Sequence, residues 1–102
     1  MERIAVLTSG GDAPGMNACI RAVVRAALAN KMDIYGVERG YAGLVKGEIN
    51  RLNTRSVSDM IHRGGTFLNT ARCPEFKEIE VQRQAAEALS AYGINEIEVV
   101  AQ

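Results

Sequence analysis

The chain has 102 residues, 47% of them apolar and 24% charged. This is the composition of one small globular domain, not of a disordered or fibrous segment. Twelve basic and twelve acidic residues cancel, and no basic tract stands out, which argues against a nucleic-acid partner. No apolar run approaches the ~20 residues that a membrane-spanning helix needs. Residues 1–3 lead straight into an apolar strand pattern without a secretory leader, so a cytoplasmic location is expected, with Cys19 and Cys73 reduced.

Residues 3–8 read as a buried strand. The run Thr8-Ser9-Gly10-Gly11-Asp12-Ala13-Pro14-Gly15-Met16-Asn17 follows it directly. A strand, a glycine turn and a helix start in that order form an anion site. Glycine lets backbone N–H groups approach an oxygen closely, and the free N–H groups and dipole of a helix start favour a phosphate. The run is neither G-x-x-x-x-G-K-[ST] nor G-x-G-x-x-G. It reads either as a phosphate or nucleotide contact or as a plain strand-to-helix turn, with Asp12 most simply a helix cap. Residues 15 to about 30 follow as a helix, with Met16, Ile20, Val23, Val24, Ala27 and Leu28 in one apolar stripe and Cys19 beside it as a core residue.

Residues 33–37 form a second short strand. A loop-like stretch carrying Gly36, Gly40, Gly43 and Gly47 comes next, with room for a helical turn at 41–45. Ser56-Val57-Ser58-Asp59 has capping-box form and opens a short helix that Gly64-Gly65 stops. Residues 78–92 are a second long helix, with Val81, Ala85, Ala88, Leu89 and Tyr92 on one face and Gly93 as its stop, and residues 97–100 are a third strand. Alternating apolar strands and helices imply an α/β fold. We expect three α/β/α layers around a parallel, open, Rossmann-like sheet that binds ligands beyond its carboxyl ends. With three strands and two residues after the last, residues 1–102 read as part of such a domain, one that leaves apolar sheet edges to be covered.

Arg21 and Arg25 stand four apart on the first helix, opposite its apolar stripe, and either clamp a phosphate or simply line a solvated face. His62-Arg63-Gly64-Gly65-Thr66 and Thr70-Ala71-Arg72-Cys73-Pro74 make a second polar region. There the Arg72 guanidinium suits either a transferring phosphoryl group or a loop ion pair. Cys73 and His62 read as contact or packing residues. No general base and no acidic pair for a metal stand out.

The segment Ile4-Ala5-Val6-Leu7-Thr8-Ser9-Gly10-Gly11-Asp12-Ala13-Pro14-Gly15-Met16-Asn17-Ala18 resembles the start of bacterial ATP-dependent 6-phosphofructokinases. Tyr35-Gly36-Val37, Gly40-Tyr41-Ala42-Gly43-Leu44, His62-Arg63-Gly64-Gly65-Thr66 and Ala71-Arg72-Cys73-Pro74-Glu75-Phe76 match in order and in register. The resemblance covers essentially the whole chain. It implies a cytoplasmic, homotetrameric glycolytic kinase that moves the γ-phosphoryl of MgATP to fructose 6-phosphate, with an effector site between subunits. It implies that Gly11 lines the ATP phosphates through its backbone and that Tyr41 lies beside the nucleotide. Arg72 and Cys73 would contact ATP, and Arg72 would also support the transferring group. Arg21 and Arg25 would bind effector phosphates, with Asp59 on the adjoining face. Some relatives place an effector-site arginine where this chain has Thr54, and Arg55 would stand in for it.

The family's Gly-Gly-Asp-Gly-Ser motif for ATP phosphates and Mg²⁺ is absent after Val99-Val100-Ala101-Gln102. So are the Thr-Ile-Asp-Asn-Asp motif with the base and the sugar-phosphate site. Three readings follow. The chain is the amino-terminal portion of such a kinase, inactive by itself; or a stand-alone module that binds ATP or ADP without catalysis; or a structural piece whose sheet edges need partner strands, dimeric or aggregated alone.

Overall fold

The computed structural model describes residues 2–9, 16–53, 55, 68 and 77–101. In chain order the elements are β1 (Arg3–Ser9), α1 (Met16–Ala29), β2 (Asp33–Val37), α2 (Gly40–Lys46), β3 (Ile49–Arg51), α3 (Ile79–Ala91) and β4 (Glu96–Ala101). The four strands form one sheet in the order β3-β2-β1-β4. β1 pairs in parallel with β2, from Arg3↔Asp33 to Val6↔Gly36, and with β4, from Ile4↔Glu96 to Ser9↔Ala101.

The expected parallel core is present, and a fourth strand joins it. β3 runs antiparallel to β2, from Val37↔Ile49 to Tyr35↔Arg51. The stretch expected to be loop-like around Gly36, Gly40, Gly43 and Gly47 is thus the end of β2, a two-turn helix and the turn into β3. Gly36, Gly40 and Gly43 serve close packing, whereas Gly47 has open space around it and supplies a left-handed turn. A Cβ on Gly43 would lie 1.5 Å from the Glu38 carbonyl oxygen, so α2 docks against the preceding turn only because that position has no side chain.

Side chains alternate across the sheet and bury both faces of β1 and β2, which explains their apolar sequences, while Ile97 and Val99 of β4 stay exposed among the described residues. Ile4, Val6, Ile34 and Val100 meet Ile20, Val24 and Ala27 of α1, together with Leu52 and Leu68. Ala5, Leu7, Tyr35, Val37 and Ile49 meet Leu44 of α2 and Ala85 of α3 on the opposite face. Among the described residues the molecule therefore has three layers, with α1, Leu52 and Leu68 on one side of the sheet and α2 and α3 on the other. Complete burial of Ile20 and Val24 stabilises that docking by about 1.5–3 kcal/mol each. Ile20, Val23, Val24, Ala27 and Leu28 of the α1 stripe lie where its periodicity put them. Cys19 does not join it and is exposed: it stands one turn before Val23, which is itself only partly buried, at the margin of the stripe.

The helices α1, α2 and α3 end in the same hydrogen-bond pattern. After α1 the N–H groups of Lys31 and Met32 donate to the carbonyls of Leu28 and Ala27; after α2 those of Gly47 and Glu48 donate to Leu44 and Gly43; after α3 those of Gly93 and Ile94 donate to Ser90 and Leu89. This arrangement needs a left-handed residue. Gly47 and Gly93 supply it freely, at φ +75° and +68°, whereas α1 uses Lys31 at φ +59°.

Candidate functional site

The strand order places the site. The chain leaves β1 toward β2 on one side and returns past β1 to β4 on the other, so the direction of winding reverses between β1 and β4. In open sheets of this kind the crevice beyond the carboxyl ends of the two diverging strands receives the ligand. Ser9 and Ala101 are register partners at that edge. The glycine run leaves β1 there and α1 begins at Met16, with no acidic residue in its first turn to repel an anion.

The β2–α2 corner borders the same edge. Thr8 is fully buried, and a Cβ on Gly40 would come within 2.5 Å of its carbonyl oxygen, so only glycine lets α2 start this close to β1. Arg39 and Gly40 are both left-handed, each at φ +58°. The turn is fastened from two directions: Glu38 N–H donates to the Glu48 carbonyl at 3.0 Å, and Arg39 N–H donates to the Leu68 carbonyl at 2.9 Å. The Arg39 guanidinium also pairs with the Glu48 carboxylate. That hydrogen bond, with the charge attraction beside it, holds the Glu48 carboxyl below the usual carboxylate range and the Arg39 guanidinium above its own. Tyr41, the second residue of α2, is half-buried at this corner.

Of the other sequence-derived candidates, Arg21 is half-buried on α1, with its Nε shielded from solvent and without a hydrogen-bond partner among the described residues. Arg25, one turn on, is exposed, and so is Arg55. Gly11, Asp12, Asp59, His62, Arg72 and Cys73 lie outside the described residues, as does the capped helix expected after Ser56. Among the described residues no three His, Cys, Asp or Glu side chains come together to hold a metal ion, and no helix is long and apolar enough to cross a membrane. A shallow concavity lined by Glu2, Asn30, Lys31 and Met32 lies at the opposite, amino edge of the sheet. Sequence reasoning missed Arg39, Glu48 and Leu68. The first two are nine residues apart, a spacing with no helical or strand meaning, and Leu68 belongs to a two-residue apolar step, Phe67-Leu68, too short to carry a period.

Comparison with known proteins bears on this edge. The phosphofructokinase family matches residues 3–101. An ATP-dependent 6-phosphofructokinase of Clostridium botulinum is 58% identical over 100 residues, which is 98% of this chain and 31% of that protein. The chain thus spans about a third of the length of the curated relatives it matches. The solved phosphofructokinase from Saccharomyces cerevisiae superposes with a TM-score of 0.92 at 42% identity, over 97% of this chain and 14% of that one. A pyrophosphate-dependent phosphofructokinase from Nitrosospira multiformis superposes at 0.83 with 18% identity, over 98% of this chain and 26% of that one, a likeness of fold alone.

Proposed function

This chain belongs to the phosphofructokinase family, and on that premise we propose that it is the amino-terminal part of the nucleotide-binding domain of an ATP-dependent 6-phosphofructokinase. The whole enzyme transfers the γ-phosphoryl of MgATP to fructose 6-phosphate, as a cytoplasmic homotetramer. The observation that carries the reading is the position of the glycine run: it leaves β1 where the winding of the sheet reverses, at the mouth between β1 and β4.

In this reading the backbone of Gly11 donates to the ATP phosphates at the start of α1, and Tyr41 borders the nucleotide from α2. Arg72 and Cys73 contact ATP from the second polar region. The planar, permanently charged guanidinium of Arg72 offsets negative charge on the transferring group. Arg21 and Arg25, with Arg55 and Asp59, serve a separate effector site for a phosphorylated ligand. The shielded, unpartnered Nε of Arg21 favours that assignment, since a buried donor is stabilised by an acceptor and a phosphate offers a charged one. Mg²⁺ accompanies ATP in this reading.

The coding frame beyond residue 102 and a coupled assay test the reading together. The full-length product is expected to consume ATP and fructose 6-phosphate one for one, while the 102-residue chain stays at background. A full-length product that transfers nothing, or turnover by the short chain in a preparation free of host kinase, contradicts it.

A further inference from the structure

The Arg39–Glu48 pair has a place that stability alone does not explain. Its two side chains are 41% and 35% exposed, and ion pairs so open to water contribute little to a fold. Arg39 is also left-handed, at φ +58°, a conformation that glycine holds at lower cost. The arginine therefore supplies something that glycine would not, its guanidinium. That group reaches from the residue before α2 to the second residue after it: Nε lies 3.4 Å from Oε2 of Glu48, and Nη2 meets Oε1. Glu48 closes the same ring through its backbone. Its N–H donates to the Gly43 carbonyl at 2.8 Å, and its carbonyl accepts the N–H of Glu38 at 3.0 Å. The helix has only seven residues, too few to hold its shape unaided, so contacts at its two ends set where it lies. Tyr41 stands two residues from Arg39, no more than about 7 Å along the chain.

We propose that Arg39 and Glu48 are positioning residues for the nucleotide: their pair holds the start of α2 so that Tyr41 meets ATP at the carboxyl edge. The proposal rests on the assignment of Tyr41 to the nucleotide made above. Breaking the pair should weaken ATP binding out of proportion to the stability lost. Asp33 is the natural control. It lies on β2, the strand that leads into this corner, and its carboxylate also pairs with arginines, Arg3 and Arg51. Those contacts lie at the amino edge, away from Tyr41.

The experiment measures kcat, the KM for ATP and for fructose 6-phosphate, and the melting temperature in the full-length enzyme. Arg39→Glu, which sets two carboxylates against each other, is expected to raise the ATP KM about fivefold, with kcat and the fructose 6-phosphate KM within about twofold of wild type. Arg39→Gln should give a smaller rise, and it serves where Arg39→Glu folds poorly. Arg39→Glu/Glu48→Arg rebuilds the pair with its charges exchanged and should return the ATP KM to within about twofold of wild type. Asp33→Asn should lower the melting temperature more than Arg39→Gln does and leave the ATP KM unchanged. Tyr41→Leu tests the premise and should raise the ATP KM by itself. An ATP KM that Arg39→Glu does not move, a rise that the exchanged pair does not reverse, or an equal rise in Asp33→Asn overturns the proposal. The assigned function then stands wherever Tyr41→Leu still raises the ATP KM. An unchanged ATP KM in Tyr41→Leu removes the premise, and the positioning role with it.

Discussion

The two edges of the sheet are held by different physics. At the amino edge the work is done by charge. Asp33, its side chain 14% exposed, accepts from Arg51 at 2.9 Å and pairs with Arg3 at 3.5 Å, tying β1, β2 and β3 together. Arg3 also donates to the Tyr92 carbonyl at 2.8 Å and its N–H to Asn95 Oδ1 at 3.0 Å, which draws in the α3–β4 turn. At the carboxyl edge the contacts are mainly backbone to backbone, and glycines at 40 and 43 permit them. Long side chains that already have protein partners hold a fold together and have little left for a ligand. Backbone brought close by glycine leaves room and donors for one.

Substitutions that strike one edge at a time sharpen this contrast. Gly43→Ala is expected to have the largest effect. The new methyl would occupy the place of the Glu38 carbonyl oxygen, and backbone cannot yield as a flexible side chain can. Loss of at least about 3 kcal/mol in urea unfolding is expected, at the high end for single substitutions. Asp33→Ala should cost less, about 1–2 kcal/mol, since it removes two charge-assisted contacts but its arginine partners are already 44% and 66% exposed to water. It should leave nucleotide affinity unchanged, and a loss of affinity would break the division between the edges. Lys31→Gly, after α1 at the amino edge, should stabilise by about 0.5–1 kcal/mol by relieving a left-handed lysine, with chemical denaturation as the readout.

The smallest effect is expected from the Arg39–Glu48 ion pair at the carboxyl edge. Hydrogen bonding to Arg39 lowers the Glu48 carboxyl below its ordinary range, so the pair's contribution is complete above the unfolded carboxylate range. It is lost as pH falls through the lowered folded value. Glu48→Gln should flatten the acid limb of the stability curve slightly, and a Glu48→Gln/Arg39→Gln pair should be less than additive.

Much of the fold was legible because its signals are local. β2 spans 33–37 as its apolar run implied, and β1, α1, α3 and β4 fall within one or two residues of their periodic patterns. The Gly93 stop after α3 acts as its position implied. What was not legible depends on contacts across the chain. β3 is three residues long and has no pattern of its own. It forms because the Gly47 turn returns the chain beside β2, and because Leu52 N–H finds the Ile34 carbonyl. The glycines of 36–47 read as loop, since a close approach and a flexible turn use the same residue. At the candidate site the glycine run and Tyr41 were visible as motifs. The corner that borders them, Arg39 with Glu48 and Leu68, was not, because nothing in a sequence marks partners 9 and 29 residues apart that meet only in the folded sheet.

The most direct measurement is hydrogen exchange of the full-length protein with and without saturating ATP, compared between the two edges. Binding at the β1–β4 mouth should slow exchange in segments 9–17 and 39–42 and leave segments 30–33, 51–53 and 92–95 unchanged. Protection at the amino-edge segments with none at 9–17 would contradict the assignment of the glycine run to the nucleotide.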